Sequence, residues 1–287
     1  MSLELFAQTV INGLFIGFLF GLMGLGLTVI FGIMKVLNIA TGAMIVLGAF
    51  TSYWMLMFFG INPLIGIVIA GAFGFIIGVV IYQLVVRRVV RAPMLSSLLA
   101  LFGVMMVLEN IMMNLWGTNP RSIPVFYPSI NIGLVAISGT RVVVSLLSIA
   151  VTLLLLVLLK YTYLGRIIRA TVQDWKAATL MGVDVNKVYT IGFALGTAIT
   201  LVAGALTAFV YPFEPFAGFR FTLYAFVIVV MGTLGNPVGC LFAGLIIGLV
   251  YSFTGIYWIP SMVPAVVYFV LILTFLLMPQ GIMGRRK

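Results

Sequence analysis

Leu5 to Met34 reads LFAQTVINGLFIGFLFGLMGLGLTVIFGIM, 30 residues without a charge between Glu4 and Lys35. A spanning helix takes roughly 20 predominantly apolar residues, so this stretch suffices for one tilted crossing. The pattern recurs along the chain: 51 uncharged residues separate Lys35 from Arg87, and 64 separate Arg220 from Arg285. Those lengths correspond to about two and a half and about three crossings. The runs are unbroken, whereas barrel strands alternate apolar and polar residues. Helices are therefore expected, and the fold class is all-α: a polytopic transmembrane helical bundle.

Composition agrees. Hydrophobic residues make up 64% of the 287 positions and charged residues 7%, where a soluble domain carries roughly a quarter charged. So much apolar surface needs lipid as its solvent. The net charge of +10 fits Lys and Arg collecting on the cytoplasmic side during insertion, with no nucleic-acid partner expected. One cysteine, Cys240, and no histidine exclude a disulfide framework and leave no ordinary metal cluster or histidine-based catalytic site. No signal peptide is expected, because residues 1–34 lack a basic leader and the apolar stretch is too long for one.

The sparse charges also orient the chain. With Arg87, Arg88 and Arg91 cytoplasmic, 92–116 exits, 117–141 is an external loop and 142–159 returns. The stretch from Lys160 to Lys187 is then inside, 188–211 exits, and three further crossings bring Arg285, Arg286 and Lys287 back in. Twelve of the fifteen Lys/Arg then lie inside and three, Arg121, Arg141 and Arg220, outside, as the positive-inside rule requires. The count is nine crossings with the N-terminus outside and the C-terminus cytoplasmic. It falls to eight if 35–59 or 221–254 is re-entrant, since 35–59 opens on polar residues and Gly235-Asn236-Pro237 interrupts the latter. The external loop mixes turn formers (Asn119, Pro120, Pro124, Pro128) with Phe126 and Tyr127, and suits an external cap; Pro212 and Pro215 punctuate a second outer segment.

Each half carries one Gly-interrupted hydrophobic segment: GIMKVLNIATGAMIVLG from Gly32 to Gly48, and Gly218 to Gly248, with glycines at 232, 235, 239, 244 and 248. Paired interruptions of this kind mark a substrate pathway in many transporters, although glycine also serves close helix packing. Asn38, Thr41, Gly42, Gly232, Gly235 and Asn236 are path candidates on that ground, or groups that hydrogen-bond between helices. Glu109 and Asn110 join them. A carboxylate in hydrocarbon costs several kcal/mol unless paired, protonated or facing water; the milder alternative is that Glu109 reaches the interface or meets Arg121.

The most informative segment is Tyr161 to Lys187, YTYLGRIIRATVQDWKAATLMGVDVNK. The spacing predicts one helix over 165–181, with Ile168, Val172, Trp175 and Thr179 on one face. Gly182 suits a left-handed cap after it, and Asp184 an N-cap of the next span. Such a helix can lie on the membrane surface or dock into a partner's groove. The run from Gln173 to Gly182 resembles the EAA loop of bacterial ABC-importer permeases, whose core of Ala-Ala, three residues and Gly is matched by Ala177, Ala178 and Gly182. Arg169-Ala-Thr-Val-Gln173-Asp174, then Met181-Gly-Val-Asp-Val185, is closer still to permeases for branched-chain amino acids. Ile30-Phe31-Gly32 through Asn38-Ile39-Ala40-Thr41-Gly42, and Ala225-Phe226-Val227 through Gly232-Thr233-Leu234-Gly235, agree, so the resemblance runs over nearly the whole chain. The length suits the shorter of the two permeases in such a system.

The resemblance implies a single permease domain over 1–287 in a bacterial plasma (inner) membrane. It also implies a coupling helix, with Arg169, Gln173, Asp174, Ala177, Ala178 and Gly182, seated in a cleft of an ATP-binding subunit. The implied partners are a second permease, two ATP-binding subunits and an external substrate-binding protein. Two departures stand: Lys176 replaces the acidic residue of the general motif, and its later Ile-x-Leu-Pro element is missing. No Gly-x-x-x-x-Gly-Lys-Ser/Thr occurs, so no cofactor of its own is expected and ATP belongs to partner subunits. Two alternatives are a permease for urea or other amides, or a stand-alone secondary transporter, which would need ionisable midplane residues; an intramembrane enzyme lacks the acids and histidines for a catalytic constellation.

Overall fold

Glycine and other small residues decide how the spans pack. In the computed structural model, which describes residues 3–124, 127–132, 135–278 and 280–284, α1 (Leu3–Met34) lies along α11 (Pro237–Tyr257). Gly13 faces Leu249, Gly17 faces Leu245, Gly21 faces Leu241 and Gly32 faces Gly235. That descending order makes the pair antiparallel and lets the backbones touch, the usual driving contact between helices in lipid. Helix α9 (Val185–Thr207) packs on α1 through Gly26, Gly196 and Thr200, and on α3 through Gly74 and Gly78.

Helix α2 spans Thr41–Phe59 and α3 spans Pro63–Ile81, joined by a left-handed Gly60 (φ 60°) and an Asn62 cap that accepts from the Leu64 N–H. Helix α3 continues through a π-helical turn, Tyr82–Val86, into α4 (Arg87–Val89). Then come α5 (Met94–Trp116), a small antiparallel hairpin of β1 (Ile130–Ile132) and β2 (Val135–Ile137), and α6 (Gly139–Tyr161). A second pair of short helices, α7 (Tyr163–Gln173) and α8 (Trp175–Leu180), precedes α9. After it come α10 (Gly218–Met231), α11 and α12 (Val263–Leu277).

Eight helices among the described residues are long and apolar enough to cross a membrane, and the shorter Pro215–Met231 is a ninth apolar helix. The chain is a polytopic helical membrane bundle. The expected break at Gly235-Asn236-Pro237 is present and leaves α10 short. The other soft stretch also resolves: 35–40 is non-helical, and α2 begins only at Thr41. Spans α1, α2 and α9 are the most enclosed, whereas α5 and α12 present most of their surface outward, toward lipid or another chain. The hairpin is an addition to the all-α expectation.

The structure corrects the helix expected over 165–181. It is two helices, with Asp174 extended between them (φ −153°, ψ 102°). The assumed face does not survive the break: Ile168 and Thr171 are buried, while Val172, Trp175 and Thr179 are exposed. The loops are also tighter than expected, because α6 begins at Gly139 and α9 at Val185. Phe126, Arg285, Arg286 and Lys287 lie outside the described residues.

Candidate functional site

Two regions at opposite ends of the bundle carry the chemistry. The first is the α7–α8 elbow. Thr162 caps α7 by accepting from the Gly165 N–H at 3.1 Å, and Gly165 packs against the Leu158 and Leu159 carbonyls, leaving no room for a side chain. The exposed Arg169 guanidinium donates to the Leu159 carbonyl. At the break, the Asp174 carboxylate accepts from the N–H groups of Lys176 (2.8 Å) and Ala177 (3.1 Å); it is the N-cap of α8, which explains an aspartate there. Gln173 is exposed beside it. Arg91, from the end of the α3–α4 arm, lies 5.2 Å from the Trp175 ring, tying the elbow to the bundle.

Ala178 is buried against the body while Ala177 faces out, so the Ala-Ala pair divides between anchoring and display. Helix α8 ends on Leu180 and Met181, which are 88% and 85% exposed. Two large apolar side chains so open give the helix an exposed apolar tip. Sequence reading passed over them, though an apolar pair immediately before the capping glycine was the available signal. Gly182 has φ +84° and nothing near its missing Cβ, so conformation alone selects glycine there. Asp184 accepts from the Lys187 N–H at 3.2 Å and caps α9 as expected.

The path candidates separate into two groups. Asn38 is 1% exposed; its Oδ1 accepts from the Ala40 N–H, its carbonyl accepts from the Thr41 hydroxyl, and the Gly42 N–H donates to Thr222 Oγ1. A Cβ on Gly42 would collide with the Gly218 carbonyl. The first turns of α2 and α10 are thereby locked together. Glu109 reaches the same place from α5: a Cβ on Gly218 would meet its Oε1 at 3.0 Å and the Ala43 nitrogen at 2.9 Å.

Glu109 is buried within the bundle, with Oε1 unpartnered. It does not pair with Arg121 among the described residues. That guanidinium donates to the Trp116 carbonyl at 2.6 Å and stacks on Trp54 (4.7 Å) and Tyr53 (5.4 Å). Two helix N-termini beside a carboxylate supply favourable dipoles. Asn110, one residue on, points away: it is exposed and donates to the Met106 carbonyl.

Gly232, Gly235 and Asn236 lie elsewhere, at the α7–α8 end, where Gly235 (φ +83°) touches Gly32. Asn236 accepts from the Val238 and Gly239 N–H groups and caps α11. Thr233 beside it has φ +79°, a strained value for a β-branched residue, and is held by the tail through Thr233 Oγ1 to the Gln280 carbonyl and Ile282 N–H to the Met231 carbonyl.

At the opposite end, α1, α10, α11 and the start of α12 enclose a cavity of about 300 Å³ lined by Phe20, Tyr211, Arg220, Tyr224, Tyr251 and Ser261, among others. None of the sequence-nominated residues lines it; its one signal in the sequence was Arg220, a basic residue just past the Pro212–Pro215 segment. Phe20 stacks on Tyr224 at 5.7 Å and meets Tyr251 edge-on at 5.3 Å. The Tyr211 hydroxyl is buried near Tyr251 without a hydrogen bond of ordinary length. Burial foremost, then the neighbouring Tyr251, holds that hydroxyl protonated well above the usual tyrosine range, so it remains a neutral donor.

A family described as branched-chain amino acid transport system / permease component matches residues 9–278. The chain belongs to that family. The high-affinity branched-chain amino acid transport system permease protein LivH of Salmonella typhimurium is 29% identical over 98% of this chain and 96% of its own length. Permease protein BraD of Pseudomonas aeruginosa is 27% identical over the same shares. A probable LivH permease of Methanocaldococcus jannaschii is 27% identical over 92% and 88%. Among solved structures, PsaBC from Streptococcus pneumoniae in complex with Fab superposes with a TM-score of 0.51 at 12% identity, covering 98% of this chain and 97% of that one, which supports the helical fold alone. The permease thus has its two built regions at opposite ends: an exposed elbow, and an aromatic cavity with one arginine.

Proposed function

We propose that this chain is the membrane-spanning subunit of an ATP-binding-cassette importer that passes leucine, isoleucine and valine from an external binding protein into the cell. It works in a bacterial inner membrane, with its C-terminus cytoplasmic. It pairs with a second permease and two ATP-binding subunits, which supply the ATP chemistry. The observation that carries the reading is the family match over nearly the whole chain. The elbow supports it: a short, capped helix ending in an exposed Leu180–Met181 tip suits insertion into a partner's cleft. Apolar walls with few polar groups suit aliphatic zwitterions.

The test is uptake in proteoliposomes holding the permease, its second permease, the ATP-binding subunits and the binding protein, with leucine, urea and ribose compared. ATP-dependent leucine uptake is expected, with urea and ribose excluded. Leucine uptake that persists without the ATP-binding subunits overturns the reading, and urea uptake in its place reassigns the cargo.

A further inference from the structure

The cavity at the end opposite the elbow is not accounted for by helix packing. Its volume of about 300 Å³ lies at the lower end of the ~300–1,000 Å³ typical of ligand sites, which suits a single small molecule. The rim carries Arg220, exposed and without an ion-pair partner among the described residues. The depth is lined by the aromatic side chains of Phe20, Tyr224 and Tyr251. The Tyr211 hydroxyl is buried at the wall with no hydrogen bond of ordinary length, and a buried polar group left unmatched is costly until something pairs with it.

The geometry points to a binding site for the zwitterionic α-amino acid itself, with Arg220 holding the carboxylate and the aromatic side chains enclosing the ammonium and the aliphatic side chain. A guanidinium pairs a carboxylate through two parallel hydrogen bonds. Aromatic faces attract a cation within about 6 Å and also supply apolar wall. The lining groups arrive from three helices, Phe20 from α1, Arg220 and Tyr224 from α10 and Tyr251 from α11, so filling the site bridges three spans. The inference rests on the reading that this chain passes amino acids.

The test uses the assembled transporter carrying Ser261→Cys, since Ser261 lines the cavity and is exposed, whereas the native Cys240 is fully buried. A membrane-impermeant maleimide labels position 261, and leucine is titrated in as protectant. Leucine, but not ribose, is expected to slow labelling. Arg220→Gln is expected to raise the half-protecting concentration about tenfold or more, with Arg220→Lys in between and Tyr211→Phe milder. Uptake is measured on the same preparation. Leucine uptake with no protection at any concentration overturns the site and leaves the importer reading intact; no leucine uptake from the unsubstituted complex overturns the importer reading. Protection by a short-chain phospholipid in place of leucine overturns the amino-acid assignment, as does an Arg220→Gln curve that coincides with the parent.

Discussion

Gly42, Gly48 and Gly204 hold backbones in contact at the centre of the bundle. A Cβ on Gly204 would collide with the Ile45 carbonyl, one on Gly48 with the Leu201 carbonyl, and one on Gly42 with the Gly218 carbonyl. These are main-chain atoms, and no rotamer change relieves the overlap, so a helix must move. Overpacking of this kind costs about 1–3 kcal/mol. Gly204→Ala and Gly42→Ala are therefore expected to lower the thermal midpoint of the purified permease in detergent. Gly103→Ala is the contrast: Gly103 sits inside α5 with nothing near its missing Cβ, and replacing a helical glycine with alanine gains about 0.5–1 kcal/mol. If Gly204→Ala melts at the same temperature as Gly103→Ala, the close approach of α2 and α9 is wrong. Sequence alone showed that Gly42 and Gly48 interrupt an apolar run, but not whether each one packs, bends or opens a path. That distinction depends on which helix lies across from it, and no local pattern encodes the neighbour.

At the scale of the element, the α7–α8 elbow was legible in outline and misread in detail. Its place between two spans, the Gly182 stop and the Asp184 cap follow from local chemistry, and its Ala177-Ala178 core from the family resemblance. The break was missed because apolar residues at helical spacing continue across Asp174, and because aspartate is compatible with a helix surface. Its side chain accepting from the Lys176 and Ala177 N–H groups decides instead for a new helix start. The consequence is a separate display helix with its tip at Leu180 and Met181. Leu180→Asp with Met181→Asp is expected to abolish co-purification of the ATP-binding subunits while the permease still inserts. Gly182→Leu forces a left-handed conformation that costs an ordinary residue roughly 1–2 kcal/mol, so it is expected to cut uptake by tilting the tip. Uptake and co-purification at parental levels in both variants would remove the elbow from coupling.

The whole molecule was legible through its charges, because a 287-residue chain with 15 Lys/Arg and 5 Asp/Glu leaves few ways to thread a bilayer. Helix directions agree with that threading. Helix α11 runs antiparallel to α1, and α9 leads away from the elbow, so Tyr211, Arg220 and Pro260 gather at the end opposite Lys176. The aromatic cavity was not legible, since it assembles from Phe20, Tyr224 and Tyr251, residues more than 200 positions apart at the extremes, each of which reads as an ordinary apolar residue in its own helix. Sidedness remains a physical consequence of the positive-inside rule and is open to direct test. Cys240 is fully buried against the Gly21 carbonyl, so the native protein is expected to stay silent to a membrane-impermeant thiol reagent. Against that background, Ser129→Cys in the long loop is expected to label on intact cells, and Thr179→Cys in the elbow only after permeabilisation. Labelling of position 179 from outside would invert the molecule, place the Arg220 cavity in the cytoplasm, and rule it out as the entry site of an importer.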